Sequence, residues 1–174
     1  MHAGRHSQAA SNNRSSVLNR AGSHGDHGYD HLQAMGTIHT SDGAYGNFRD
    51  GFSIEGSATG TQLHNCIAVD NGLTTDEFDM WVNNTSAPGF TSDYNIFWNS
   101  TSQVPFKFIN TKYATIAGYQ AASGQDPHSL QLNPLFVNSP GGDFHPQPGS
   151  PAIDAANSNV EEWPATDAEG NVRV

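Results

Sequence analysis

One pattern recurs through the middle of the chain at intervals of 24 to 28 residues. The segments AYGNFRDGFSIEG (44–56), AVDNGLTTDEFDMWV (68–82) and IFWNSTSQVPFKFIN (96–110) each open on a small or branched apolar residue. Each reaches an Asn three positions later, passes through a short loop and ends in a Phe-led alternating run. The Asn residues are Asn47, Asn71 and Asn99; the Phe residues are Phe52, Phe78 and Phe106. Short strands at this period, with no helix between them, point to the coils of a parallel β-solenoid. One such coil cannot bury its own inner face, so it stacks on its neighbours with like positions ~4.8 Å apart. The sequence therefore predicts an all-β fold, a right-handed parallel β-helix. Its inward columns would be Phe52–Phe78–Phe106, Ile54–Met80–Phe108 and Ala44–Ala68–Ile96. The Asn residues would form a ladder at a repeated corner, since Asn tolerates turn conformations.

The totals fit such a fold. Of 174 residues, 35% are hydrophobic and 14% charged, with 18 Gly. That is too polar for a helix bundle and suits many turns. The length suits one domain, residues 1–174, with core coils over 44–110 and C-terminal coils and a tail over 125–174. Both ends, MHAGRHSQAASNNRSS and DAEGNVRV, read as cuts within a longer chain; the first has no apolar stretch of the signal-peptide kind. Between core and tail, TKYATIAGYQAAS (111–123) predicts a short outer helix, capped by Thr111 and stopped by Gly124. The Pro- and Gly-rich tail predicts one or two further strands that close the stack.

A formal net charge of −10 without a basic stripe speaks against nucleic acid as a partner. No apolar run approaches the ~20 residues of a membrane-spanning helix. Cys66 is alone and reads as a small buried apolar residue. A monomer is expected.

Aligning the repeats on their Phe residues sets Asp50 level with Asp76 and puts Ser53, Asp79 and Lys107 in one outward column. Asp50, Asp76, Glu77 and Asp79 would then share one patch. Taken singly, these are ordinary turn acids and a surface ion pair, and such pairs contribute little. Taken together, closely packed carboxylates repel one another, and calcium, which takes several oxygen ligands, would relieve that.

RDGFSIEGSATGTQLHNCIAVDN, followed by TTDEFDMW and PFKF, resembles the family 9 polysaccharide lyases, which are parallel β-helix pectate lyases and relatives. The resemblance covers about residues 44–110. It implies a calcium site at Asp50, Asp76, Glu77 and Asp79, with Lys107 as the catalytic base. It implies an acidic polysaccharide such as pectate as partner, and a secreted or cell-surface location. Cys66, Ala68 and Asn71 match the family's structural C-x-A-x-x-N. Two residues depart from the pattern: Thr75 stands where the family has an acid, and Glu77 where it has glycine. The reaction implied is β-elimination on a uronic-acid polymer, in which Lys107 takes the α-proton. A β-helix hydrolase using Asp50, Asp76 and Asp79 as acid and base is a second reading. A non-catalytic glycan-binding or surface β-helix is a third, and the missing acid at Thr75 favours it.

Other signals are weaker. His24, His27, His31 and His39 form a His-rich approach that reads as polar turns beside a glycan groove, with a zinc site as the sharper alternative. Asn83 and Asn99 open glycosylation sequons. Trp81 has outward parity and, with Trp98, could stack on sugar rings.

Overall fold

The computed structural model describes residues 15–17, 20–22 and 25–173; His24 lies outside them. The first coil holds β1 (Ser15–Val17), β2 (Arg20–Gly22) and β3 (Tyr29–Leu32). The second holds β4 (Ile38–Thr40), β5 (Gly43–Tyr45) and β6 (Phe52–Glu55). The third holds β7 (Gln62–His64), β8 (Ile67–Val69) and β9 (Met80–Val82), and the fourth β10 (Thr91–Asp93), β11 (Ile96–Trp98) and β12 (Phe106–Phe108). Like strands stack into three sheets, β1-β4-β7-β10, β2-β5-β8-β11 and β3-β6-β9-β12. Every stacked pair is parallel. The chain is a parallel β-helix, as its repeat predicts.

Strands of three or four residues survive because the corners repeat as faithfully as the strands. After β4, β7 and β10, Ser41, Asn65 and Tyr94 all take positive φ (60°, 57° and 59°). Each turns the chain at the same level of its coil. At the next corner Asn47 donates through its backbone N–H and Nδ2 to Asn71 Oδ1, at 3.2 and 2.7 Å. Asn71 in turn donates through its own N–H and Nδ2 to Asp79 Oδ1, both at 2.9 Å. Asn99 Nδ2 reaches Asn71 O and Asp79 Oδ2. The predicted Asn ladder is present, and Asp79 is its fourth member.

The same corner explains a glycine. A Cβ on Gly51 would lie 2.6 Å from Asp79 O and 2.8 Å from Asn71 Nδ2. No L side chain fits where the two coils approach this closely.

The inward columns are in part as expected, with a shift of register. Phe52 pairs with Met80, not Phe78, and Met80 pairs with Phe106. Ile54 pairs with Val82, and Val82 with Phe108. On another face Ala68 pairs with Phe97, not Ile96. The first error is a slip of two residues, which preserves inward and outward parity. The third coil has a longer loop between Asn71 and β9 than the second has between Asn47 and β6, and Phe78 ends that loop as a buried residue. Trp81, not Asp79, therefore stands between Ser53 and Lys107.

The helix prediction needs two corrections. Residues 111–113 form a strand, β13 (Thr111–Tyr113), antiparallel to β12. The helix α1 (Ile116–Ser123) is capped by the Thr115 side chain and ends at Gly124 with φ 70°. It lies outside the coils as expected, with Ala117, Ala121 and Ala122 exposed, and it anchors through Tyr119, which is fully buried and stacks on Phe106, ring centroids 5.1 Å apart. Tyr119 covers the end of the core above Phe106, beside β13 and the chain at Leu130.

The start of the tail lies on the last coil: Leu130 bridges to Ile96, and the Asp126 N–H bonds to Ser92 O. Its strands β14 (Phe136–Asn138) and β15 (Asp143–Pro146) form an antiparallel hairpin. Phe144 packs edge-on against Tyr45 of β5, so the hairpin lies against the outside of the second sheet. Asn157 and Glu161 then bond to Asn65 and Thr40 along the corner column. Among the described residues no helix is long and apolar enough to cross a membrane.

Replacing Asp79 with Ala strips two buried Asn71 donors of their acceptor. We expect a loss of about 2–4 kcal/mol in urea unfolding. A loss below about 0.5 kcal/mol would show that the ladder does not hold the corner.

Candidate functional site

The outward face of the third sheet carries a column of cross-strand neighbours: Asp30, Ser53, Trp81 and Lys107. At its end Lys107 Nζ lies 4.9 Å from the centroid of the Trp81 ring and 5.4 Å from that of Phe78. Among the described residues no carboxylate is within ion-pair distance of Lys107. The Phe78 ring also carries Lys112, whose Nζ is 5.7 Å from its centroid.

Just before these strands, the turns of the first three coils carry a second group. Phe52 and Met80 being level, Asp50 is level with Phe78 and His27. The Asp50 side chain is fully enclosed. Its Oδ1 accepts the Phe78 N–H at 2.6 Å, and its Oδ2 lies 3.3 Å from His27 Nδ1. Glu77 joins them: His27, Asp50 and Glu77 each offer a donor atom, all within 4.8 Å of one another. Arg49 stands at the edge, its Nε 3.5 Å from Asp26 Oδ1 and 4.0 Å from Glu77 Oε1. Burial, then the nearby Asp50 charge, pushes the Glu77 carboxyl up to about 7. Burial likewise raises Asp30 and Glu55, each with further acids beside it. His27 is raised: burial opposes its charge, but the nearby Asp50 carboxylate, with Asp30 and Glu77 beyond it, outweighs that.

The four expected metal ligands do not assemble. Asp50 and Glu77 come together, with His27 as a third member that sequence reasoning left among the turn histidines. Asp76 is exposed and pairs with Lys112, which holds its carboxyl below the usual range. Asp79 is sunk in the corner, its oxygens taken by Asn71 and Asn99, and burial pushes it up to about 8. A four-acid calcium site therefore does not fit these residues. Lys107 lies on the expected face but beside Trp81, not Asp79.

Four enclosed polar atoms on this face have no hydrogen-bond partner: Asp30 Oδ1, Asp50 Oδ2, Ser53 Oγ and Trp81 Nε1. Each such atom costs about 1–3 kcal/mol, and the rule for a folded protein is that buried polar groups are paired.

His31 and His39 are not turn residues. Both are buried in strands, and their Nε2 atoms are 2.8 Å apart. His31 Nδ1 faces Ser53 O at 3.2 Å, and a carbonyl can only accept, so His31 is protonated there. Its Nε2 then accepts from His39. His39 Nδ1 lies 2.6 Å from Asp42 Oδ2. The signal was in YDHL: His31 has the parity of the inward Tyr29. A second feature the sequence did not suggest is a cleft of about 640 Å³ between the tail hairpin and the second sheet, lined among others by Arg20, Tyr45, Ile67, Phe136 and Phe144.

No protein-family model, curated protein or solved structure matches the chain. The resemblance to the family 9 lyases rests on the short motifs alone.

Burial and the neighbouring His39 pull the His31 imidazole from 6.5 down to about 3. As pH falls through 6.5 the unfolded chain takes up a proton that the folded chain refuses, so this contribution to stability is lost. The stability of the wild type minus that of His31→Gln should fall between pH 7 and pH 4, by up to about 1.4 kcal/mol per pH unit. A difference that is flat across this range would contradict a neutral His31.

Proposed function

We propose that the outward face of the third sheet binds a polysaccharide containing uronic acids. The observation that carries this reading is the Lys107 ammonium, held over Trp81 with no carboxylate in ion-pair distance among the described residues and at the end of the Asp30–Ser53–Trp81 column. An aromatic face with a cation beside it suits a sugar ring bearing a carboxylate. The column runs along the solenoid axis, as an extended polymer would.

Binding without catalysis is the reading the geometry supports best. Elimination as the resemblance implies it uses calcium held by four acids, and Asp76 and Asp79 lie apart from Asp50 and Glu77. One observation favours elimination as a second reading: Lys107 is on this face, with no carboxylate in ion-pair distance among the described residues. Hydrolysis by Asp50, Asp76 and Asp79 has less support, because the three are held in separate surroundings.

The test is binding of the full chain to polygalacturonate and to a neutral polymer, with product formation followed in the ultraviolet. We expect selective binding to polygalacturonate, weakened about tenfold or more in both Lys107→Ala and Trp81→Ala, with no unsaturated product. A fold-change of ten corresponds to about 1.4 kcal/mol. Binding that both variants leave unchanged would overturn the site. Unsaturated product lost in Lys107→Ala would establish elimination in place of binding alone.

A further inference from the structure

We propose that His27, Asp50 and Glu77 form a binding site for a first-row divalent transition-metal ion of the zinc or manganese kind. The three residues come from the turns before β3, β6 and β9, so the stacking of three coils brings them together. Their donor atoms lie within 4.8 Å of one another. Ligands about 2.0–2.2 Å from one ion fall within that spread after small side-chain rotations.

Asp50 supplies the second observation. Its side chain is fully enclosed, and the Phe78 N–H fixes one oxygen. The other oxygen points towards His27 and receives no hydrogen bond. His27 Nδ1 accepts the Asp50 backbone N–H at 3.2 Å and so offers no proton to this oxygen; a cation beside them would satisfy the carboxylate. The His27 and Glu77 side chains are 7% and 20% exposed, so the site is sheltered yet reachable.

The donor set decides the class of ion. Calcium and magnesium take oxygen ligands. One imidazole with two carboxylates suits zinc, manganese or iron(II), and three protein ligands leave coordination positions open. Asp26, Asp30 and Glu55 add negative charge around the site, and Arg49 is the competing cation. This site differs from the four-acid calcium set in residues and in chemistry, and it stands whether or not the neighbouring face binds a glycan.

The experiment is titration of the chelator-treated full chain with Co²⁺ and Zn²⁺, read by calorimetry and by the cobalt absorption spectrum. We expect one ion per chain, a visible cobalt band, and no displacement by millimolar Ca²⁺. His27→Gln and Glu77→Gln should each weaken binding about tenfold or more. Both replace turn side chains and leave the Asp50–Phe78 bond in place, and circular dichroism verifies their fold. No binding by the wild type, binding that both variants retain, or preferential occupation by Ca²⁺ would each overturn the proposal.

Discussion

The fold depends on side-chain acceptors that hold the turns of one coil to the next. A parallel β-helix with strands this short has few backbone ladder bonds per coil, and its turn amides would otherwise be buried without partners. Here Asn71 Oδ1 takes the Asn47 amide, Asp79 Oδ1 takes that of Asn71, and Asp50 Oδ1 takes that of Phe78. Another corner repeats the device: Asn95 Oδ1 takes the Cys66 amide, and Ser129 Oγ takes that of Asn95. Asn95 Nδ2 is satisfied in turn by Leu63 O, Ser92 Oγ and Asp126 Oδ1. An amide side chain both accepts and donates, so it can pass the pattern along the stack. Aliphatic residues at these positions could fill the space but would leave the turn amides unpaired.

This constraint also divides the acids. Asp79 belongs to the ladder, its side chain buried and both oxygens engaged by Asn71 and Asn99. Asp76, on the exposed part of the third coil's long loop, is matched by Lys112. Only Asp50 and Glu77 are left facing a common space, and the coil below brings His27 to them. Asp50 serves both purposes: one oxygen holds the Phe78 turn and the other faces the histidine. The glycine after it is explained by the corner, since any side chain there would strike Asp79 and Asn71. The motif that resembled a catalytic signature is thus in large part architecture.

The repeat was legible because Asn and Phe recur with it, and that was enough to predict parallel stacking, the Asn ladder and the outward parity of Trp81 and Lys107. The register of the third coil was not legible. Phe78 and Met80 are both apolar and of the same parity, so either could continue the Phe52 column; only the length of the loop after Asn71 decides. That slip of two residues moved Asp79 out of the expected patch and Trp81 into it. The helix was visible from Tyr and Ile spacing, but not that Tyr119 covers the end of the core above Phe106. His31 and His39 were hidden by composition, since a polar residue pair buried inside a solenoid is legible only once its partners, Asp42 and Ser53 O, are in place.

Residue-resolved amide hydrogen exchange tests this account most directly. The amides of Asn47, Asn71, Phe78, Cys66 and Asn95 lie between strands, and apart from side-chain acceptors nothing in a solenoid would slow them. They should exchange only as slowly as the core strands do, through global unfolding. Exchange at the rate of open loops, with β6 and β9 still protected, would contradict the claim that side-chain ladders hold the coils together.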